Sequence, residues 1–485
     1  MVSELWLEKY MKERPAAVMT RGTLEHAFAD EHLDEIFRTQ ATSQYEHRLL
    51  FSSMIRLLSA VVMRRHRSVN AAYHAEAQAL GVSLSSVYDK LNHTDLSVTE
   101  ALLRQTAARL QAVMSIWPTT PSAIAGYVMK IVDGNHLAGT EHRLEVLRAH
   151  GSAALPGMAV VVLDHATGLM TQLFGSPDGH QSERALIDRV LETVRPGELY
   201  LADRLYCTFK MMEGIAARGS CFLIRHHQLV HLKTRGESRI IGMIETGKVS
   251  EQEVIVNSKV YRLITLKLNT PTADGETEIR LLSNLPGESA TAMEIARAYR
   301  QRWRLENTFQ EVTVNVQCEL NTLGYPNAAL LTFSLALCIC NALHVVMRAM
   351  EQAHALKQQK KIEEETPKQA EQQKASAAVK TSAAPKQKPA QELSSYYIVN
   401  EINLAYDGMD IVLDQEAWQP LRTMTPPALA RWLTRAAQHA DWKKYLKAKR
   451  GPKKPVTPIL GGRRNPHRST YRLLQEKRTL PKAPA

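Results

Sequence analysis

Five short apolar runs between residues 127 and 226 constrain the fold of this 485-residue chain more than any other feature. The runs are YVMKIVDGNHL, MAVVVLD, LMTQLFG, ELYLAD and SCFLIRH. HATG, which ends in Gly168, separates the second run from the third and predicts a hairpin turn. ERALIDRVLETV has the spacing of an amphipathic helix, and another helix precedes the fifth run. The order β-β-β-α-β-α-β predicts an α/β domain with a mixed sheet and helices on its faces.

Two of these strands end in an aspartate, Asp133 and Asp203. Two like charges at the end of a buried sheet are costly unless a cation neutralises them. Carboxylate oxygens at an open site favour Mg²⁺ or Mn²⁺. The pair therefore indicates a metal site, although two ordinary surface aspartates at strand ends would give the same pattern.

A third carboxylate follows in ARAYRQRWRLENTFQEVTV, where Tyr299, Arg302 and Glu306 are spaced i, i+3 and i+7. On one continuous helix these side chains would lie on a common face. Arginine binds phosphate with two hydrogen bonds, and tyrosine can donate to a phosphate oxygen. Glu306 would complete the metal site. A solvated helix face with an Arg/Glu pair remains the alternative.

Residues 20–125 have helical apolar spacing and predict an N-terminal domain made only of helices. AAYHAEAQALGVSLSSVYDKLN predicts a helix, a turn at Gly81 and a second helix over 84–92, capped by Ser83. In a helix-turn-helix protein the second helix enters the major groove, which makes Lys90 a candidate DNA contact. An ordinary helical hairpin is the alternative, because Lys90 is the only Lys or Arg in that helix.

The charge of the chain is concentrated at its C-terminal end. Residues 443–485 hold 14 Lys and Arg and one acid, Glu476, whereas the whole chain has a net charge of +12. Such a tail suits a polyanion, most often nucleic acid. The candidate DNA contacts in the tail are Lys453, Lys454, Arg463 and Arg464. A solvated tail without a fixed partner is the alternative.

Composition limits the remaining classes of protein. Five cysteines without a spaced framework, and an N-terminus without an apolar core, favour a reducing cytoplasm over a secreted, disulfide-built protein. The apolar stretch 328–347 is long enough to span a bilayer, but it contains polar residues such as Asn341. We therefore expect a buried helix and no membrane association. Residues 355–393 are rich in Lys, Gln, Ala and Glu and predict a disordered linker that can be helical at its start.

In combination, these motifs resemble the DDE transposases of the insertion-sequence 4 family, over about residues 30–350 and the basic end. Asp133 in IVDGNH matches the family's first Asp, and Asp203-Arg204 in LADRLY matches its second, which implies Arg204 as a DNA contact. The family's third motif, Tyr-x2-Arg-x3-Glu-x6-Lys, is matched by Tyr299, Arg302 and Glu306.

This chain departs from the family pattern at two places. Thr313 stands where the family has Lys, and Gln310 is a candidate to replace that contact in part. Relatives can carry a Trp in the insertion that follows the second Asp, where it stacks on a flipped base. Residues 227–287 contain no Trp, so Trp303 is the nearest candidate. Strand processing through a DNA hairpin therefore stays open.

The resemblance implies an RNase H-like catalytic core, with a β-rich insertion, an all-α N-terminal DNA-binding domain and a helical, basic C-terminal region. The expected domains are 1–125 for DNA binding, 126–226 and 288–354 for the two parts of the core, 227–287 for the insertion, 355–393 for the linker and 394–485 for the helical segment and basic tail.

The implied activity is two-metal phosphoryl transfer. Asp133, Asp203 and Glu306 would hold two Mg²⁺ ions, with Mn²⁺ as a substitute. The enzyme would cleave transposon ends and join them to target DNA. The expected partners are terminal inverted repeats, target DNA and a second copy of the chain when assembled on DNA, in a bacterial cytoplasm. A DNA-binding protein that has lost catalysis, and a Mg²⁺-dependent nuclease without strand transfer, remain the alternatives.

Overall fold

The computed structural model describes residues 2–42, 48–137, 146, 154–272, 275–318, 320, 323–373, 392–448 and 468–479. The chain divides into two compact units. The first consists of Met1–Ala29, Ala112–Trp117 and Ala342–Arg463. The second consists of Asp30–Gln111, Pro118–Asn341 and Arg464–Ala485.

A nine-stranded sheet forms the centre of the second unit, and its strands run in the order β4-β3-β1-β5-β6-β10-β9-β8-β7. The strands are β1 Val128–His136, β3 Met158–Asp164, β4 Met170–Ser176, β5 Glu198–Ala202, β6 Cys221–Arg225, β7 Lys233–Ile244, β8 Gly247–Val256, β9 Lys259–Leu268 and β10 Glu278–Ser283. A separate two-residue pair joins β2, Ala154–Leu155, to β11, Arg468–Ser469. The fold class is therefore mixed α/β, as the sequence predicts.

The inner five strands have the predicted RNase H-like arrangement. β1 is antiparallel to β3 and parallel to β5, and β5 is parallel to β6. The hairpin between β3 and β4 turns at Gly168, whose φ of 72° lies in the left-handed region that glycine adopts without strain. Helices α8, Ile187–Glu192, and α9, Phe209–Ala217, provide the crossovers between the parallel strands.

The segment between β6 and β10 extends the same sheet. β10 pairs antiparallel with β6 on one side and with β9 on the other, and β9, β8 and β7 follow as an antiparallel meander. The predicted β-rich insertion therefore consists of strands that continue the sheet of the core.

Helices of the second unit lie before and after the sheet in the sequence. They are α3 Asp30–Gln40, α4 Phe51–Val62, α5 Val69–Leu80, α6 Leu84–His93, α7 Leu96–Met114, α10 Ala292–Tyr299, α11 Trp303–Asn315, the start of α12 Pro326–Gln373, and α16 Thr470–Thr479. The predicted turn between α5 and α6 is present. Gly81 has a φ of 60°, and the Ser83 hydroxyl accepts a hydrogen bond from the Ser86 amide at 3.2 Å.

The long helix α12 is the one described helix that is apolar and long enough to cross a membrane. In its most apolar 18-residue stretch, 89 % is buried inside the protein. Its polar side chains find partners inside the second unit. The Ser334 hydroxyl donates to the Thr99 carbonyl at 2.8 Å, and the Asn341 amide exchanges two hydrogen bonds with the Met170 backbone. Such satisfied polar groups are typical of a core helix. The helix continues to Gln373, well into the predicted linker.

The first unit is helical. It contains α1 Val2–Glu13, α2 Pro15–Ala27, α13 Ser395–Val412, α14 Gln415–Thr423, α15 Pro426–Ala437 and the rest of α12. Helix α2 is buried along almost its whole length. Its buried Arg21 pairs with Glu25 at 2.7 Å and with Asp410 at 3.3 Å, which compensates the burial of its charge.

Candidate active site

The register of the parallel strands brings Asp133 and Asp203 to the same edge of the sheet. Ile131 pairs with Leu201 and Val132 with Ala202, so each aspartate is the next residue along its strand. Asp203 directly follows β5 at the start of a 3₁₀ turn, Arg204–Tyr206, as predicted. The predicted strand end is wrong for Asp133, which lies within β1, because pairing with β3 continues the strand to His136. The predicted neighbourhood of the two aspartates is therefore present in the structure.

The segment that carries Glu306 is broken, whereas the sequence pattern was interpreted as one continuous helix. Helix α10 ends at Tyr299, a 3₁₀ turn spans Arg300–Arg302, and α11 begins at Trp303. The expected continuous α-helix is therefore wrong here, although Tyr299, Arg302 and Glu306 remain neighbours. The turn nevertheless keeps Arg302 in contact with Glu306, with Nη2 2.8 Å from Oε1.

Arg302 connects the helix to the sheet. Its side chain is buried, with the residue 7 % exposed, and Nη1 lies 3.2 Å from Oδ2 of Asp133. One guanidinium thus bridges two of the three predicted metal ligands, Asp133 and Glu306. Because a buried arginine needs negative partners, this bridge fixes the helix carboxylate near the end of β1.

Burial controls the protonation of this cluster. It raises the pKa of Asp133 to about 7, even though Arg302 acts in the opposite direction; Glu183 and Glu306 add to the rise. Burial also raises the pKa of the Tyr299 phenol, which lies close enough to Asp203 for that charge to contribute. Asp203 itself has a buried Oδ1 that accepts no hydrogen bond from the described residues. Such an orphaned carboxylate oxygen is unusual and calls for an explanation.

A fourth carboxylate, Glu183, lies at the same edge and was missed in the sequence. It begins a short 3₁₀ turn, Glu183–Leu186, before α8. Its Oε2 accepts a hydrogen bond from the Tyr206 hydroxyl at 2.7 Å, its charge acts on Asp133, and the charge of Asp203 acts on it. Burial raises the pKa of Glu183.

Gly134 makes room for this carboxylate. A Cβ atom at position 134 would lie 2.0 Å from the carboxyl carbon of Glu183. Glycine inside a strand often marks a close approach of another group, so Gly134 directly after Asp133 was the signal in the sequence.

The other predicted DNA contacts differ in their surroundings. Trp303 is 53 % exposed, and Gln310 is exposed on α11. Arg204 is half exposed and pairs with Glu276 at 3.3 Å. Lys453, Lys454, Arg463 and Arg464 lie outside the described residues.

Lys90 requires a correction. It is only 8 % exposed, its ammonium donates to the Leu49 carbonyl at 2.5 Å, and it lies 4.4 Å from the centre of the Phe37 ring. The predicted DNA contact of Lys90 is therefore wrong, because its charge is used inside the helical region. The low exposure follows from its position on the apolar face of α6, beside Val87 and Leu91.

The chemistry of the site fits a divalent ion. The donors are carboxylate oxygens, which suit Mg²⁺ or Mn²⁺, and the orphaned Oδ1 of Asp203 would gain a partner. In the described part of the chain, no three His, Cys, Asp or Glu side chains already converge at ligand distances. Arg302 holds Asp133 and Glu306 instead, so ligation would require these side chains to shift.

One comparison with known proteins covers this location. The family described as the transposase DDE domain matches residues 125–342, which include all four carboxylates of the site. The chain is also similar to a solved structure, the cryo-EM structure of the piggyBac transposase synaptic complex with hairpin DNA. The identity is 11 %, the TM-score is 0.37, and the match covers 95 % of this chain and 88 % of that chain. No curated protein matches the chain.

Proposed function

We propose that this chain, whose residues 125–342 match the transposase DDE domain, is a DNA transposase of the insertion-sequence 4 type. It binds transposon ends, cleaves them and joins them to target DNA. The observation that carries the proposal is the parallel register of β1 and β5, which sets Asp133 beside Asp203 within the matched span. Glu306 reaches the same edge through Arg302.

Asp133, Asp203 and Glu306 are the residues that would hold two Mg²⁺ ions, or Mn²⁺ in their place. When bound, such ions activate an attacking hydroxyl and stabilise the leaving oxygen. Asp133 must lose its proton to serve as a ligand, and a bound cation would favour the ionised form against the burial that raises its pKa. Arg302 must exchange at least one carboxylate partner, and its released donors then suit a DNA phosphate.

DNA binding is assigned to the surface around this edge. The exposed Trp303 provides a stacking face, and Arg204 and Gln310 provide donors for phosphate oxygens. The basic residues of the tail add affinity that does not depend on sequence. On DNA the active form would be a homodimer, with one copy at each transposon end.

A strand-transfer assay tests the proposal. The protein is incubated with a supercoiled plasmid that carries the terminal repeats, in Mg²⁺ or Ca²⁺, and the nicked, linear and joined products are separated. Mg²⁺ should support cleavage and joining, and Ca²⁺ should support binding alone. Replacing Asp133, Asp203 or Glu306 by Ala should abolish cleavage while DNA binding persists. Cleavage without joining would identify a nuclease, and binding without cleavage would identify a DNA-binding protein.

A further inference from the structure

The turn that follows α4 carries a run of positive charge. Residues 64–67 read Arg-Arg-His-Arg. Amides 63 to 66 return to the carbonyls of the last turn of α4, and Arg64 has a φ of 63°. Helices often end in this left-handed conformation, but glycine usually occupies it, because a Cβ atom is strained there. An arginine in this place is therefore a reason to ask what its side chain does.

This turn lies against the C-terminal end of α11, the helix that carries Glu306. The Gln317 amide donates to the Val62 carbonyl at 2.8 Å, and Nη2 of Arg64 donates to the Thr313 carbonyl at 3.4 Å. Position 313 is seven residues beyond Glu306. At 1.5 Å per residue, Arg64 therefore lies about 10 Å along the helix from Glu306.

Thr313 itself offers nothing to a phosphate in this structure. Its hydroxyl donates to the Phe309 carbonyl at 3.0 Å, within its own helix. Arg64 is exposed, and a single long hydrogen bond leaves most of its five donors available. Arg67 is also exposed, and among the described residues neither arginine forms an ion pair. The cation at this end of α11 thus comes from the helical region rather than from the helix itself.

We propose that Arg64, assisted by Arg67, binds a backbone phosphate of the DNA that enters the acid cluster. The distance of about 10 Å corresponds to roughly three nucleotides of one strand of duplex DNA from the phosphate at the acid cluster. The contact places a positive charge at the C-terminal end of α11, where the uncharged Thr313 provides none. The identity of the DNA as a transposon end rests on the proposed function, whereas the phosphate contact does not.

A purely structural role would be a cation that caps the carbonyls of a helix end and interacts favourably with the helix dipole. Arg218 is a matched control for that role. It is exposed, follows the end of α9, and donates to the Gly214 carbonyl at 3.0 Å. Arg64→Gln and Arg218→Gln therefore remove comparable helix-end contacts, but only the first lies beside α11.

Salt titrations of the full-length protein on a fluorescein-labelled random duplex separate the two roles. Arg64→Gln should flatten the slope of log K against log salt by about 0.9. Arg64→Lys and Arg218→Gln should keep the wild-type slope. Thr313→Lys added to Arg64→Gln should restore the slope and the plasmid cleavage that the single variant loses. Thermal melts of all variants show whether folding is intact.

An unchanged slope for Arg64→Gln, or an equal loss for Arg218→Gln, would overturn the phosphate site. Failure of Thr313→Lys to rescue would overturn its placement at the end of α11. The proposed function fails separately. An Arg64-dependent slope in a protein that never cleaves plasmid would keep the phosphate site and reject the transposase. Plasmid cleavage by a protein whose Arg64→Gln variant keeps the wild-type slope would reject the phosphate site and keep the transposase.

Discussion

The two halves of the nine-stranded sheet have opposite environments. In the inner half, β3 and β5 are buried at every residue. In the outer half, β7 is exposed along almost its whole length and forms the edge of the sheet. The sequence already distinguishes the two kinds of strand, because β3 is almost entirely apolar whereas β7 contains Lys233, Arg235, Glu237 and Arg239. Apolar runs are typical of a strand buried on both faces, and charged side chains are typical of an exposed edge strand.

This difference in burial determines the free-energy cost of placing a charged side chain in each half. In the inner half, burial raises the pKa of Asp133 to about 7, and the Oδ1 of Asp203 has no partner in the described chain. In the outer half, Arg235 and Glu253 pair at 3.6 Å with both side chains more than half exposed. Exposed pairs of this kind contribute about 0–1 kcal/mol. The raised pKa of Asp133 and the unpartnered oxygen of Asp203 therefore lie in the half where chemistry is proposed, which agrees with the general link between perturbed pKa values and function.

The largest expected effect separates the halves by activity. Asp203→Asn should lower plasmid cleavage about 100-fold or more, because a preorganised charge at the reacting centre is lost. Glu253→Gln, on β8 in the outer half, should change cleavage less than about twofold. Quantified nicked and linear products give both rates under identical Mg²⁺. Similar losses in the two variants would remove the functional distinction between the halves.

The next effect concerns packing. Gly134→Ala places a methyl group 2.0 Å from the carboxyl carbon of Glu183 and should destabilise the protein by about 1–3 kcal/mol. Gly236→Ala in the outer half meets open space, and its φ of 74° should cost about 1 kcal/mol. Denaturant melts measure both.

A double variant identifies the cause of the Gly134 effect. If the clash with the carboxylate is responsible, Gly134→Ala combined with Glu183→Ala should be less destabilised than the sum of the two single variants. Strict additivity would mean that Gly134 is needed for another reason.

A smaller effect, of opposite sign, is expected from Asp133→Asn. The pKa of Asp133 is raised from 3.8 in an unstructured chain to about 7 in the fold, so between these values the folded protein holds the proton more tightly. The contribution of Asp133 to wild-type stability should therefore fall as pH rises from about 4 to about 7. Asn carries no charge, and the variant should be about 1 kcal/mol more stable than wild type at pH 8.

Thermal melts at several pH values check this prediction. The advantage of Asp133→Asn should grow from pH 4 to pH 7 and then stay constant. A variant that melts below wild type at pH 8 would show instead that the ion pair with Arg302 outweighs the burial of the charge. Cleavage should be lost in the variant at every pH.

The neighbourhood of the two acids could be predicted from the sequence because each follows an apolar run of a parallel strand. The strand end is correct for Asp203 only, because β1 continues to His136 through pairing with β3. The 3₁₀ turn at Arg300–Arg302 was not predictable from spacing, because residues 292–315 satisfy a helical pattern throughout. Glu183 was missed because it lies in a turn far from the motifs, and only Gly134 pointed to its approach.

Charge was the least predictable property. The sequence pattern predicts Lys90 as a DNA contact, but in the fold its ammonium donates a hydrogen bond to the Leu49 carbonyl. No sequence motif singles out Arg64, but the fold brings it to Thr313 on α11, 249 residues away in sequence. Long-range packing decides which Lys and Arg side chains are paired inside the protein, and a single sequence does not directly indicate that packing.

The smallest expected effect tests whether the outer edge is as permissive as its exposure suggests. Ile240 on β7 is 66 % exposed, and β7 is paired only on the side of β8. Ile240→Thr keeps the β-branched shape that strands favour and removes little buried apolar area, so stability should change by less than about 0.5 kcal/mol.

An exposed edge strand can also pair with another chain, and the irregular register around Arg235 and Arg239 opposes such pairing. Ile240→Thr should therefore leave the sedimentation coefficient unchanged. A lower coefficient together with lower stability would mean that Ile240 is buried against a second copy of the chain, and the outer half would then be an interface rather than a free surface.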